Sequence, residues 1–161
     1  MSQRDTQRAK VYQAEDFART LFTRAAQHNS RTIDFFGSPL TLPPEARFSG
    51  VESVQRYVDE VLALPSITAR WPHAAPVTVR ARRGTTAAHY SSGVIAIPEH
   101  RPDGPLLREL VAVHELAHHL APKGAAHGPA FVSTYCELAS AVMGPEAGHV
   151  LRVLFSHHGA R

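Results

Sequence analysis

The chain contains, at residues 113–120, the segment Val113-His114-Glu115-Leu116-Ala117-His118-His119-Leu120. Its core is the pattern His-Glu-x-x-His, by which one helical turn offers two imidazoles to a metal ion and a carboxylate to a water. Residues i and i+4 lie one above the other on a helix, so His114 and His118 can both reach one Zn²⁺. The segment therefore predicts a metal-binding helix in which Glu115 is the catalytic base that takes a proton from the water.

The residues on either side of this motif predict a capped and mostly apolar helix. Helical spacing connects Leu106, Leu110, Val113, Ala117 and Leu120. Asp103 and Pro105 favour a helix start, and Pro122 and Gly124 favour its end. Histidines and a carboxylate beside an apolar face are costly unless something pairs them. We therefore expect a bound metal rather than core histidines whose ring nitrogens are only hydrogen-bonded.

A third metal ligand is expected from the segment His127-Gly128-Pro129-Ala130-Phe131, which follows the helix after a short loop. Pro129 suits the first turn of a new helix, which places His127 at the mouth of that helix. The metzincin arrangement is excluded, because the sixth residue after the second histidine is Gly124, which has no side chain to offer. Glu137 is the alternative third ligand. We prefer His127, because three histidines are a common catalytic zinc set.

The two motifs together resemble those of the SprT-like zinc metallopeptidases, in which His-Gly-Pro-x-Phe supplies the third histidine. The resemblance covers about residues 106–135. Further segments are similar to an actinobacterial family of metallohydrolases with no known substrate; they are Leu40–Pro43, Ser53–Val58, Val79–Gly84, Ala88–Tyr90 and Met143–Ala147. The similarity to this second family implies a metal-dependent hydrolase. The resemblance of the two motifs to zinc metallopeptidases implies one bound zinc ion and a peptide or protein substrate.

Two other functions remain open at this stage. One is a non-catalytic, metal-stabilised module that binds protein or nucleic acid, and the other is a metal-dependent amidase acting on a small molecule. A structural zinc normally has four protein ligands, so three histidines and Glu115 favour catalysis. Tyr135 could donate a hydrogen bond to a developing oxyanion, but we favour packing in the core with a satisfied hydroxyl. His89 and His100 could line the cleft, whereas His119 points about 100° away from His118 and is not expected to ligate.

The pattern of apolar residues predicts an α+β fold in one domain, residues 1–161. Helices are expected at 8–29, 51–64, 129–143 and 146–155, with short extended pieces at 33–42 and a rigid connection at 65–76. A meander of about three strands is expected at 77–97. A small, mostly antiparallel sheet packed on the metal helix resembles zincin architecture, in which an edge strand lies over the cleft. The backbone of 93–97 would then either pair with an extended peptide or form an ordinary core strand.

Composition limits the other possibilities. With 43% apolar and 19% charged residues among 161, the chain is an ordinary globular protein with no apolar run long enough for a membrane span. Residues 1–10 are polar, and Cys136 is the single cysteine, so we expect no secretory signal, no internal disulfide and a cytoplasmic location. The net charge of +3 includes a cluster at Arg80, Arg82 and Arg83. We interpret this cluster as a solvated strand face rather than a nucleic-acid contact, because no aromatic residues interleave it.

Overall fold

The computed structural model describes residues 3–84, 86–99 and 105–161. These residues form an α+β structure with six helices and two small sheets. In chain order the elements are α1 (Arg8–Ala26), β1 (Thr32–Phe35), β2 (Ser38–Thr41), α2 (Val51–Ala63), α3 (Pro65–Arg70), β3 (Thr78–Ala81), β4 (His89–Ser91), β5 (Val94–Ile97), α4 (Glu109–Leu120), α5 (Pro129–Met143) and α6 (Pro145–His157). No helix among the described residues is long and apolar enough to cross a membrane.

The elements cluster into two compact units. Unit 1 contains the described residues up to Glu45 together with Ala121–Arg161, and unit 2 contains Ala46–Leu120. The expected helices 51–64 and 129–143 agree with α2 and α5 to within one residue. The expected rigid connection at 65–76 instead begins with the short helix α3, because Pro65 is favourable in a first helical turn.

Unit 1 is a set of helices packed beside a hairpin. Helix α6 packs against both α1 and α5, and β1 pairs with β2 antiparallel. Gly144 joins α5 to α6 and has a φ of 113°, a positive value that residues other than glycine rarely adopt. The two helices approach closely at Gly148, where an added Cβ would lie 1.6 Å from Ser140 Oγ. An apolar core fills the unit, and its largest buried side chains include Phe22, Phe131, Leu138, Leu151 and Phe155.

The three-stranded sheet of unit 2 is not the meander that the sequence predicted. Its strand order is β3-β5-β4, with β5 parallel to β3 and antiparallel to β4. Alternating apolar residues indicate strands but not their order in a sheet. A turn at Ser92 and Gly93 closes the β4–β5 hairpin. Their φ values are 47° and 81°, and a type I′ turn requires positive φ at both central residues.

Of the two possibilities for residues 93–97, the structure confirms the ordinary core strand and contradicts a strand that pairs with an extended peptide. Strand β5 lies between β3 and β4, so its backbone groups pair on both sides and cannot add a peptide. Ile95, Ala96 and Ile97 are all buried. A continuous apolar run of this kind is typical of a strand buried on both faces, which could have identified the central position from the sequence. Among the described strands of this sheet, the edges belong to β3 and β4.

Candidate metal centre

Helix α4 carries the His-Glu-x-x-His motif, and backbone pairing holds its first residue in place. The amide of Glu109 donates to the carbonyl of Ala46 at 2.9 Å, and the amide of Phe48 donates to the carbonyl of Leu107 at 2.9 Å. The Glu109 carboxylate accepts a hydrogen bond from the Ala46 amide at 3.0 Å and another from the Tyr57 hydroxyl at 2.5 Å. These contacts fix the start of the helix that presents the metal ligands.

The same pairing explains why α4 starts later than predicted. The sequence favoured a start at Asp103 and Pro105; Asp103 lies outside the described residues, and α4 begins at Glu109. Pro105 and Leu106 lie in a turn, and Arg108, the residue before Glu109, forms an antiparallel bridge with Arg47. A tertiary contact therefore overrides the local helix-start pattern.

His114 and His118 face one another across one turn of α4. Their Nε2 atoms are 3.1 Å apart, and their ring planes are inclined by 67°. Two nitrogens at 2.0–2.1 Å from a tetrahedral zinc are separated by about 3.3 Å. The spacing of this pair is therefore close to the spacing that a shared cation needs.

His127 completes the group from the residues just before α5. One ring nitrogen from each of His114, His118 and His127 lies within 4.8 Å of the other two. His114 and His127 are buried and His118 is half-buried. The three histidines are close enough to hold a metal ion. Glu137, the alternative third ligand, does not belong to this group.

The chemistry of this donor set fits a transition-metal ion. Imidazole nitrogens suit zinc and other late first-row transition metals. The group found among the described residues has three donors, which is one fewer than a closed tetrahedral site uses. His114, His118 and His127 would therefore hold the ion and leave one coordination position for water or substrate.

Glu115 lies beside this group on α4. Its side chain is buried, and Oε1 is 4.0 Å from His114 Nε2. This distance is longer than a hydrogen bond. It is short enough for one small molecule to contact both groups. Glu115 therefore lies beside one of the grouped histidines, and its role as a base stays a prediction.

A hydrogen-bonded chain that the sequence did not predict links Ala75, His119, Tyr90 and Gly93, next to the candidate ligand His118. His119 Nε2 is 2.7 Å from the carbonyl oxygen of Ala75, which can only accept, so this nitrogen carries the proton. In the neutral ring Nδ1 is then the acceptor, and the Tyr90 hydroxyl donates to it at 2.9 Å. Tyr90 Oη in turn accepts the amide of Gly93 at 3.0 Å, and its ring is parallel to that of His118 within 6°.

This chain connects strand β4 to α4 directly beside a candidate ligand. His119 is half-buried and hydrogen-bonded, and it is not one of the three grouped histidines. His89, which was expected to line a cleft, is exposed on β4, and His100 lies outside the described residues. The role of Tyr90 could not be predicted, because it depends on a contact with a residue 29 positions later.

We expect Tyr90→Phe to lower the free energy of unfolding by about 1–3 kcal/mol, because His119 and Gly93 each lose a hydrogen-bond partner in a partly buried site. Ser91→Ala, at the exposed next position of the same strand, is the matched control and should change stability by less than about 0.5 kcal/mol. Urea denaturation of both variants measures the difference. Equal stability of the two variants would show that the Tyr90 hydroxyl contributes nothing.

Tyr135 is enclosed by aromatic rings within unit 1. The ring centroids of Phe131 and Phe155 each lie 5.8 Å from its own, and only 1% of the residue is exposed. Burial, reinforced by the negative charge of Glu15, raises the pKa of the Tyr135 hydroxyl well above its ordinary value. These contacts explain the tyrosine as a packed core residue, and its suggested role as an oxyanion donor stays a prediction.

Cys136 and Glu137 follow on α5 and line a different feature. They border a cavity of about 510 Å³ between α5 and α6, together with Arg152 and Phe155. Cys136 is buried, and its burial raises the pKa of the thiol to about 12. A thiol that stays protonated is a poor nucleophile, so the environment of Cys136 is that of a packed core residue.

We expect Cys136 to react about a thousandfold more slowly with a thiol reagent at pH 8 in the folded protein than after unfolding, because only the thiolate attacks. The folded pKa of about 12 lies above the reference value of 9.0, so folding favours the protonated thiol. Its contribution to stability is therefore complete below about pH 9 and is lost as the pH rises toward 12. Reagent absorbance in native buffer and in guanidinium measures both rates. Equal rates would contradict a raised pKa.

The arginine cluster makes local contacts on unit 2. Arg82 Nη1 donates to the carbonyl of Ala87 at 2.9 Å, and Arg80 Nη1 donates to the carbonyl of Ala81 at 3.2 Å. Arg80 and Arg83 are exposed. Arg70, upstream of the cluster, lies over the Trp71 ring at 4.9 Å. These contacts agree with a solvated face, and a nucleic-acid partner stays a hypothesis.

The resemblance to SprT-like metallopeptidases stays a prediction from the two motifs. No family model, curated protein or solved structure matches this chain.

Proposed function

We propose that this chain is a zinc-dependent hydrolase of zincin-like architecture that cleaves peptide bonds. The observation that supports it best is the grouping of three histidine ring nitrogens within 4.8 Å, beside the buried carboxylate of Glu115. Three imidazoles are one of the ligand sets of catalytic zinc, and they leave a position open. The motif resemblance to zinc metallopeptidases favours a peptide as the substrate.

In this proposal Glu115 moves the proton. A bound Zn²⁺ would supply Lewis acidity, polarising the substrate carbonyl and acidifying a water toward a pKa of about 7. Glu115 accepts a proton from that water as the water oxygen bonds to the carbonyl carbon of the substrate. The same carboxylic acid then gives the proton to the leaving nitrogen as the C–N bond breaks. The burial of Glu115 and His114 keeps this transfer away from bulk water.

Strand β4 is the element best suited to hold an extended substrate. It is an edge strand of its sheet and contacts α4 within unit 2. A peptide that pairs with its outer edge would gain main-chain hydrogen bonds and would lie beside the helix that carries Glu115. This assignment replaces residues 93–97, because Val94, Ile95 and Ala96 already pair with strands on both sides.

Metal analysis of the purified protein, combined with digestion of a broad peptide library, tests the proposed function. We expect one zinc ion per chain and cleavage that stops when a chelator removes the metal and returns when zinc is restored. Stoichiometric zinc with no cleavage of any peptide would contradict a peptidase and favour a binding module. Cleavage that persists in the metal-free protein would contradict metal-dependent hydrolysis.

A further inference from the structure

The segment before α1 contacts His127 at two points. The ring Nδ1 of His127 is 2.7 Å from Asp5 Oδ2, and the backbone carbonyl of His127 accepts a hydrogen bond from Gln7 Nε2 at 2.9 Å. These partners lie 122 and 120 residues away in sequence. The side chain of His127 is 7% exposed and that of Asp5 is 24% exposed. The carboxylate–imidazole contact is therefore largely shielded from water.

Both polar atoms of the Gln7 side-chain amide form hydrogen bonds. Its Nε2 also donates to the carbonyl of Arg161 at 2.9 Å, and its Oε1 accepts the amide of Arg161 at 2.9 Å. The side chain therefore links α1 to the residues after α6 and to the backbone of His127. Tyr12 of α1 adds a ring contact at 5.3 Å from the imidazole. Backbone and ring of His127 are thus both fixed within unit 1.

The Asp5 contact selects which nitrogen of His127 can ligate. A carboxylate accepts a hydrogen bond from Nδ1–H, so the proton is held on that atom and the lone pair is placed on Nε2. Such a carboxylate also makes the imidazole a better donor and fixes the plane of its ring. The other oxygen, Asp5 Oδ1, is buried and has no hydrogen-bond partner among the described residues. The imidazole contact is therefore the interaction that compensates the burial of this carboxylate.

We propose that Asp5 is a positioning residue that orients His127 Nε2 toward the metal. The proposal rests on the metal-binding part of the proposed function and does not depend on peptide cleavage. It assigns to the segment before α1 a role at the metal centre, namely setting the affinity for the ion through the third ligand.

The test is Zn²⁺ affinity, measured by competition with a chelating dye, in Asp5→Asn and in Asp5→Glu. Asparagine keeps the size of the side chain but removes its charge, and we expect the zinc dissociation constant to rise about 10–100-fold. Glutamate restores the charge, and we expect it to recover part of the lost affinity. Asp16→Asn changes an exposed carboxylate of α1 and should leave the affinity unchanged.

A purely structural role of Asp5 gives a different result. In that case Asp5→Asn would lower the melting temperature of the metal-free protein but leave the zinc affinity at the wild-type value, which would overturn the proposal. Wild-type protein that binds zinc without cleaving peptides would contradict the proposed peptidase activity but would not contradict the role of Asp5. Wild-type protein that binds no zinc would overturn both.

If Asp5→Asn does not fold, ¹⁵N spectra of the zinc-loaded wild type supply the answer. We expect the imidazole of His127 to show a protonated, hydrogen-bonded Nδ1 and a metal-bound Nε2. A metal on Nδ1, or a proton on Nε2, would overturn the assignment without any variant.

Discussion

Glu115→Gln should lower kcat/KM for peptide hydrolysis by about 10²–10⁴-fold while the protein keeps its full complement of zinc. Glutamine has almost the same size but cannot accept the proton of the attacking water. The side chain is buried on α4, so the loss of its negative charge should not destabilise the fold. Steady-state kinetics on a peptide identified from the library, with metal analysis of the same sample, measures both quantities.

The matched control for this prediction is Glu137→Gln on α5. Glu137 is the other carboxylate that the sequence offered for the metal site, and the structure places it on the cavity that Cys136 also lines. Its conversion to glutamine should leave both the activity and the zinc content unchanged. Wild-type turnover in Glu115→Gln would refute the proposed base, and loss of zinc in Glu137→Gln would restore the alternative ligand.

His118→Ala should remove the metal itself. His118 Nε2 is 3.1 Å from His114 Nε2, and the His118 and Tyr90 ring centroids are 6.3 Å apart. Loss of a direct ligand should weaken zinc binding by more than the roughly 10–100-fold that a change outside the ligand set costs. We therefore expect less than stoichiometric zinc after gel filtration in metal-free buffer, together with loss of hydrolysis.

Thermal denaturation checks the same prediction without an activity assay. A ligand that binds only the folded protein stabilises it by about 2.7 kcal/mol at a concentration 100 times its dissociation constant. Added zinc should therefore raise the melting temperature of the wild type but not that of His118→Ala. His28→Ala changes an exposed histidine after α1 and should behave like the wild type. Retention of equimolar zinc by His118→Ala would contradict ligation.

Local sequence patterns predicted α2 and α5 to within one residue, because helical periodicity depends on neighbouring residues. The boundaries of α2 and α5 follow from apolar spacing and from Pro65 and Pro129. The histidine group could also be predicted from the sequence. His114 and His118 lie four residues apart, and His127 lies just before a helix whose start is marked by Pro129. These features are fixed by residues close together in the sequence.

Features that depend on distant contacts could not be predicted in this way. The parallel pairing of β3 with β5 is not encoded by alternation, and the start of α4 is set by residues 46–48. Asp5 lies 122 residues from His127, and nothing near it in the sequence marks it as a partner of a metal ligand. The orienting contacts of the site are therefore the part that required a structure.

The zinc-edge X-ray absorption spectrum of wild-type protein loaded with one equivalent of Zn²⁺ tests the central claim most directly. If His114, His118 and His127 bind one ion and leave a position open, the first shell will contain three imidazole nitrogens and one oxygen at about 2.0–2.1 Å. A shell with two imidazoles, or with a sulfur at about 2.3 Å, would contradict the three-histidine centre.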